Sequence, residues 1–326
     1  MTTAMMAPQK IATIFGGTGF LGRYIVRDLA RAGYIVKIAT RIPESAYFLR
    51  TYGTVGQIVP VHCLYQDQDS IDRAVEGSDV IINCVGILFE RRRNTFRRIH
   101  VELAQSIASA AARLGAARLV HISALGVDRA KSRYAKTKLE GERAVLTAFP
   151  AATILRPGVI FGPEDGFFNM FAGLARFLPV LPLIGGKTKL QPVYVGDVAK
   201  AVMAVLTLSP RGLDTPLGCV YELGGPEVIT MRDVYTRIFG WTGQSRCLLP
   251  LPFPLATLNA AFLQLIPPRP LLTPDQVTSL KTDSVVSENA TGLAALGIEA
   301  TAMGQIVPGY MERFRSGGRF GNSKTA

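Results

Sequence analysis

The stretch IATIFGGTGFLGR, residues 11 to 23, constrains this chain more than any other. An apolar run that reads as a strand leads into Gly16, Gly19 and Gly22 at a spacing of three. It continues without a break into LGRYIVRDLARAG, whose apolar residues recur at helical spacing and stop at Gly33. A strand that turns so tightly into a helix needs bare backbone at the turn. Gly16 permits the turn, Gly19 lets a ligand approach the main chain, and Gly22 lets helix and strand pack closely. The free N–H groups and the positive end of the helix dipole converge there, an arrangement suited to a pyrophosphate. Thr18, Phe20 and Leu21 complete the candidate cradle.

The same rhythm continues through the first half. YIVKIAT (34–40), QIVPVHC (57–63), DVIINCVG (79–86), ARLVHIS (117–123) and AATILRP (151–157) are strand-like and separated by helix-like segments. Strands apolar on both faces, alternating with helices, predict an α/β chain: a Rossmann doubly wound parallel sheet with helices on both faces. Beyond residue 160 the rhythm changes. An apolar, proline-rich excursion covers about 165–188. LQPVYVGDVAKAVMAVL then reads as strand, N-cap Asp197 and helix, and VYELGGPEVITMRDVYTRIFG repeats that order with Thr230 as cap. The expected organisation is a nucleotide-binding Rossmann domain over 10–210 and a smaller C-terminal α/β lobe over 211–326 that faces a membrane or partner.

The end of the second strand decides which nucleotide is favoured. KIATRIPES places Thr40 and Arg41 there with no carboxylate before Glu44, and Arg23 follows the glycine turn. NAD sites usually place an acidic residue at this point to accept from the ribose 2′-hydroxyl. Two guanidiniums instead favour the 2′-phosphate of NADP(H) over NAD(H), each charge-assisted contact contributing roughly 1.5–3 kcal/mol.

Other features narrow the partners. A formal net charge of +12 favours an acidic counterpart. The absence of an aromatic-rich basic platform argues against nucleic acid. His62, His100 and His121 form no ligand spacing, so no metal site is expected; His62 and His121 sit in strand-like runs and read as core histidines. Cys63, Cys84, Cys219 and Cys247 form no CxxC pair and read as free thiols of a reducing, cytoplasm-like compartment. No apolar run reaches the roughly 18 residues that a membrane span needs.

SRYAKTK supplies Tyr134 and Lys138 as Y-x-x-x-K at a helix start, where the ammonium is expected to depress the phenol's pKa. With HISALGV after the fifth strand it resembles the active site of the short-chain dehydrogenase/reductase superfamily, in which a hydroxyl near that strand's end polarises a substrate carbonyl. Ser123 is the candidate hydroxyl, yet Ala124 and Leu125 follow where the extended branch usually carries a Ser-Ser or Ser-Thr pair. The resemblance implies a vestigial catalytic set of Tyr134, Lys138 and Ser123, with Tyr134 and Lys138 hydrogen-bonding the nicotinamide ribose. ILRPGVIFGPED also resembles the extended branch.

A closer resemblance spans nearly the whole chain. NCVG, SRYAKTKLEGERAV, RPGVIFGPED, KTKLQPVYVGDVAKAV, LPLPFPLA and LLTPDQVTSLKTDSVVS together resemble the NADPH-binding accessory subunits of respiratory complex I, an atypical branch of that superfamily. PFPL followed by LTPDQV and DSVVS is the most telling, because sugar epimerases do not share it. The resemblance implies a subunit on the peripheral arm near its junction with the membrane and close to the quinone site, holding NADP(H) without turnover. It adds Val85, Gly86 and Pro157 to the cofactor-binding set. Peripheral-arm subunits and an anionic membrane surface are the implied partners. With only ten residues before the first strand, it implies the cytoplasmic face of a bacterial inner membrane, or the matrix side if the chain is mitochondrial and already processed. Two alternatives stay open: an active NADP(H)-dependent oxidoreductase or epimerase, supported by Tyr134 and Lys138 and opposed by Ala124, and an accessory factor for quinone biosynthesis.

Two surface features accompany this reading. LATLNAAFLQLI places Leu255, Leu258, Phe262 and Leu265 on one helical face near Arg246 and Arg269, either a core helix or a docking face. ERRRNTFRR carries five arginines to one glutamate after strand four, either a solvated loop or a contact for a substrate or acidic partner.

Overall fold

A computed structural model of the protein describes residues 9–207, 218–265, 270–315 and 317. The apolar runs form β1 (Ile11–Phe15), β2 (Ile35–Thr40), β3 (Ile58–His62), β4 (Val80–Asn83), β5 (Arg118–Ile122) and β6 (Thr153–Pro157). With Val220–Leu223 as a seventh member beside β6, the sheet runs Val220–Leu223, β6, β5, β4, β1, β2, β3. All pairings among β1 to β6 are parallel. The order reverses at β1, so the loops leaving β1 and β4 diverge at the strands' carboxyl ends and open a crevice between them.

The connections are α1 (Phe20–Arg31), α2 (Gln68–Val75), α3 (Leu103–Arg113) and α4 (Arg133–Ala148). In α1 the buried residues Leu21, Tyr24, Ile25 and Leu29 recur at helical spacing, and Gly33 at φ 85° reverses the chain into β2. Asp67 caps α2 by accepting from the Asp69 N–H at 3.2 Å. Residues of α2 and α3 share a core with Phe15, Cys63, Ile81 and Ile154 of the sheet region. Right-handed crossovers on either side of the reversal put α1 and α3 on opposite faces.

The chain divides into two compact units, each built from three stretches. The first comprises Met1–Ser123, Thr137–Arg156 and Val198–Tyr221; the second comprises Ala124–Lys136, Pro157–Asp197 and Glu222–Ala326. The expected boundary at 210/211 lies outside the described residues. Chain order continues with α5 (Phe168–Phe177), α6 (Val195–Thr207), α7 (Met231–Thr242), α8 (Phe253–Leu263), α9 (Pro274–Ser279) and α10 (Met303–Met311). In the second unit, α5, α7 and α10 pack Phe168, Ala172, Val234, Ile238, Val307 and Met311 into a core.

Local signals in this half divide into one that held and one that did not. Thr230 caps α7 in a capping box with Asp233. Asp197 is not an N-cap: α6 begins at Val195, and the buried carboxylate accepts from the N–H and hydroxyl of Thr301 at 2.7 and 3.1 Å. His62 is exposed rather than core, because β3 is the sheet's edge and shows one side to solvent.

Candidate functional site

At the glycine turn, Gly16 adopts φ 83°, and a Cβ there would lie 3.1–3.2 Å from the backbone of Cys84 and Val85. The turn after β1 thus lies directly against the chain leaving β4. A Cβ on Gly22 would run into the Gly16 carbonyl and lie 2.7 Å from Gly17 Cα. Gly19 is the N-cap of α1, offers no side-chain cap, and no acidic residue occupies the first turn. The opening N–H groups of α1 therefore meet no capping side chain, and the bare backbone fits a phosphate-bearing ligand.

Beside this turn lies a cleft of about 440 Å³ within the first unit. Gly16, Thr18, Gly19, Arg41, Val85 and Gly86, all expected from the sequence, line it. Arg41 lies over the Tyr65 ring at 5.8 Å, and the Tyr65 hydroxyl donates to the Ala39 carbonyl at 3.0 Å, which fixes the ring at the end of β2. Arg23 is not in the lining: its Nε lies 3.4 Å from the Gly19 carbonyl, and its guanidinium sits over the Phe48 ring at 5.5 Å. Phe20, Leu21 and Gly22 start α1 and are not in the lining.

Buried polar groups hold the loop after β4 in roles that no local residue pattern announces. Asn83 turns back to accept from the Val85 N–H at 3.0 Å, which ends β4 early, and its Nδ2 faces His121 Nδ1 at 3.2 Å. His100 Nε2 accepts from the Ile87 N–H at 3.2 Å, leaving its proton on Nδ1, 3.0 Å from Thr137 Oγ1. Burial, reinforced by the Lys138 charge, pushes His100 down to about 3, and burial drives His121 well below the usual histidine range. Both rings are neutral in the folded chain, whereas the unfolded chain protonates each near pH 6.5. Their contribution is therefore complete above that pH and is lost as pH falls from about 6.5 towards 3. Stability should fall by up to about 2.7 kcal/mol per pH unit from these two groups between roughly pH 6 and 4. Urea denaturation across that range checks this, and a flat profile would contradict it.

The remaining candidates lie outside the cleft lining. Lys138 is 4% exposed and donates to the Ile122 carbonyl at 2.9 Å. Its Nζ sits 3.3 Å from where a Cβ on Gly86 would be, so Gly86 leaves it room. Burial pulls Lys138 down to about 8, against the opposing pull of Glu142. Ser123 is buried, its hydroxyl makes no hydrogen bond among the described residues, and its N–H donates to the Leu155 carbonyl at 2.7 Å. Tyr134 and Pro157 belong to the second unit. The expected depression of the phenol is not found: burial alone pushes Tyr134 up to about 12. Asp275, from the LTPDQV stretch, accepts from the N–H groups of Arg133 and Tyr134 at 2.7 and 3.0 Å and so caps α4. The Pro157 carbonyl accepts from the Leu125 N–H at 2.8 Å.

Of the two surface features, the α8 stretch is a surface. Ala256 and Ala260 are buried, while Leu255, Leu258, Phe262 and the following Leu265 are 55–75% exposed. Arg246 donates to the Ala175 carbonyl at 2.7 Å, and Arg269 lies outside the described residues. Among the described residues no group of three or more His, Cys, Asp or Glu could hold a metal ion. All four cysteines are free. No helix among the described residues is long and apolar enough to cross a membrane.

This geometry meets its counterpart in known proteins. The NAD dependent epimerase/dehydratase family matches residues 12–218. The mitochondrial NADH dehydrogenase (ubiquinone) 1 alpha subcomplex subunit 9 of Arabidopsis thaliana is 36% identical over 96% of this chain and 80% of its own length. Its counterpart in Rattus norvegicus is 36% identical over 90% of this chain and 77% of its own. The chain belongs to the subunit 9 branch of the epimerase/dehydratase family. The solved structure of the NADPH-dependent quinone oxidoreductase of Escherichia coli, complexed with NADPH, shares the fold at a TM-score of 0.71 and 21% identity, covering 90% of this chain and 97% of that one. The cleft beside the glycine turn lies within the stretch that the family model matches.

Proposed function

We propose that this chain is an NADP(H)-holding accessory subunit of NADH:quinone oxidoreductase, stabilising its peripheral arm near the quinone site without turnover of its own. The observation that carries this is the 36% identity to complex I subunits over 96% of the chain. Gly16, Thr18 and Gly19, with the N–H groups of Phe20, Leu21 and Gly22, would hold the pyrophosphate. Arg41 would meet the 2′-phosphate, and Val85 and Gly86 would flank the adenosine. When bound, the nicotinamide would supply or accept a hydride.

The chain's own residues favour holding over reacting. The hydroxyl expected after Ser123 is replaced by Ala124, and Ser123 itself is buried. Lys138 is committed to the Ile122 carbonyl, a placement suited to a ribose-side ligand. Tyr134, with its hydroxyl up at about 12, holds its proton at neutral pH. The exposed apolar residues of α8 and the net charge of +12 suit the boundary between a protein partner and an anionic membrane face. Headgroups attract nearby Lys and Arg by about 1 kcal/mol each, enough for loose attachment, so specific placement rests on the protein partner. That membrane face is the cytoplasmic side of a bacterial inner membrane, or the matrix side in a mitochondrion.

In native gels of mild-detergent membrane extracts the chain should co-migrate with NADH:quinone oxidoreductase activity, and high salt alone should release only part of it. Recovery of the whole pool as a free monomer, with the complex intact without it, would overturn the proposal.

A further inference from the structure

The arginine-rich turn after β4 is not a solvated loop throughout. Arg91 and Asn94 pair through two backbone hydrogen bonds at 3.0 and 2.9 Å. Arg92, between them, adopts φ 51°, a left-handed conformation unfavourable for a residue with a large side chain. The Glu90 carboxylate accepts from the Phe96 N–H at 2.9 Å, and Arg98 Nη1 donates to the Arg93 carbonyl at 3.1 Å. The turn is thus held in one shape from both ends.

That shape sorts the five arginines. Arg97 lies within 3.5 Å of Glu102 and 3.7 Å of Glu140, a surface ion-pair cluster. Arg91, Arg92 and Arg93 are exposed. Arg93 and Arg98 line the same cleft as Arg41 and the glycine turn. The Arg93 guanidinium makes no ion pair or hydrogen bond among the described residues, and neither does that of Arg41, which only stacks on Tyr65. The cleft therefore carries three guanidiniums against the single carboxylate of Glu102. They reach it from two directions, Arg41 from the end of β2 and Arg93 and Arg98 from the connection after β4. The glycine turn and the start of α1 already provide donors for the pyrophosphate. A second set of planar, always-charged forks is matched to a further phosphate group.

We infer that Arg93 and Arg98 are specificity-determining residues that close on the adenosine 2′-phosphate opposite Arg41, so that the phosphate is gripped from two sides of the cleft. This rests on the proposal that the cleft holds NADP(H). It extends that proposal to a loop outside the glycine turn and the end of β2.

The test uses the full chain stripped of nucleotide, with adenosine 2′,5′-bisphosphate and adenosine 5′-diphosphate as probes in isothermal titration. The Arg93→Ala/Arg98→Ala protein should lose tenfold or more in affinity for the 2′,5′-bisphosphate, with a less than threefold change for the 5′-diphosphate. Arg93→Ala alone, which removes no side-chain bond within the described protein, should lose threefold or more for the 2′,5′-bisphosphate with an unchanged melting temperature. Arg92→Asn removes a charge from the same turn without facing the cleft, and should change neither affinity by more than twofold. Equal losses for both probes, or none, would overturn the inference. If Arg41→Ala abolishes the 2′-phosphate preference while the double variant keeps it, this inference alone fails. If the wild-type chain binds neither probe nor NADP(H), the nucleotide proposal fails with it.

Discussion

Glu142→Ala is expected to destabilise the protein by about 3–5 kcal/mol. Glu142 and Arg156 form a two-pronged ion pair, Nε to Oε1 at 2.9 Å and Nη2 to Oε2 at 2.8 Å, with side chains 3% and 12% exposed. Removing the carboxylate takes a two-pronged partner from a largely buried guanidinium, and much of the desolvation of that charge then loses its compensation. The double replacement Glu142→Leu with Arg156→Met should recover most of the loss, since packed apolar groups of similar volume commonly match a buried pair. Lys138 lies one turn before Glu142 on α4, so Glu142→Ala should also weaken nucleotide retention by letting that helix shift against β6. Chemical denaturation measures the first effect and titration with NADPH the second. A stability loss below about 1 kcal/mol would mean that the pair behaves as a solvated surface contact.

Gly22→Val should abolish nucleotide binding and cost about 1–3 kcal/mol of stability or more through overpacking. The atoms a Cβ would meet are backbone, the Gly16 carbonyl and Gly17 Cα, and no rotamer change can relieve them. The turn must open, and opening it moves the N–H groups that are proposed to hold the pyrophosphate. Gly19→Ala provides the contrast, because its Cβ would approach only the Gly16 carbonyl, at 3.2 Å. That variant should fold with near-normal stability and bind nucleotide more weakly, since the added methyl lies where the phosphate is proposed to approach. Wild-type affinity in Gly22→Val would show that this turn does not hold the ligand.

The sheet and the glycine turn were legible in the sequence because their signals are local. Strand runs, glycine spacing and the Thr230 capping box are written within a few residues of where they act. Signals that depend on distant partners were not. Asp197 has the chemistry of a cap, but its carboxylate is taken by Thr301, more than 100 positions away. His62 lies in an apolar run like that of His121, and only the sheet order makes one an edge residue and the other core. Arg23 and Arg41 look equivalent as charges beside the nucleotide; Arg23 is drawn to Gly19 and Phe48, while Arg41 reaches the cleft. His100 carried no motif, and NCVG marked Asn83 by resemblance without naming its role, since holding a loop by its backbone N–H requires only an acceptor at the right place. The proton-shuttling reading of Tyr134 expected a depressed phenol, whereas burial pushes it up to about 12.

The central claim, a subunit that holds NADP(H) and does not turn it over, is tested most directly by the nucleotide content of the chain isolated in its assembled state. Denaturing the purified assembly and chromatographing the supernatant should release NADP(H) stoichiometric with this chain. The same assembly incubated with NADPH and quinone should show no NADPH oxidation that depends on Tyr134. An assembly that contains the chain but no NADP(H), or steady NADPH oxidation that disappears in Tyr134→Phe, would contradict the account.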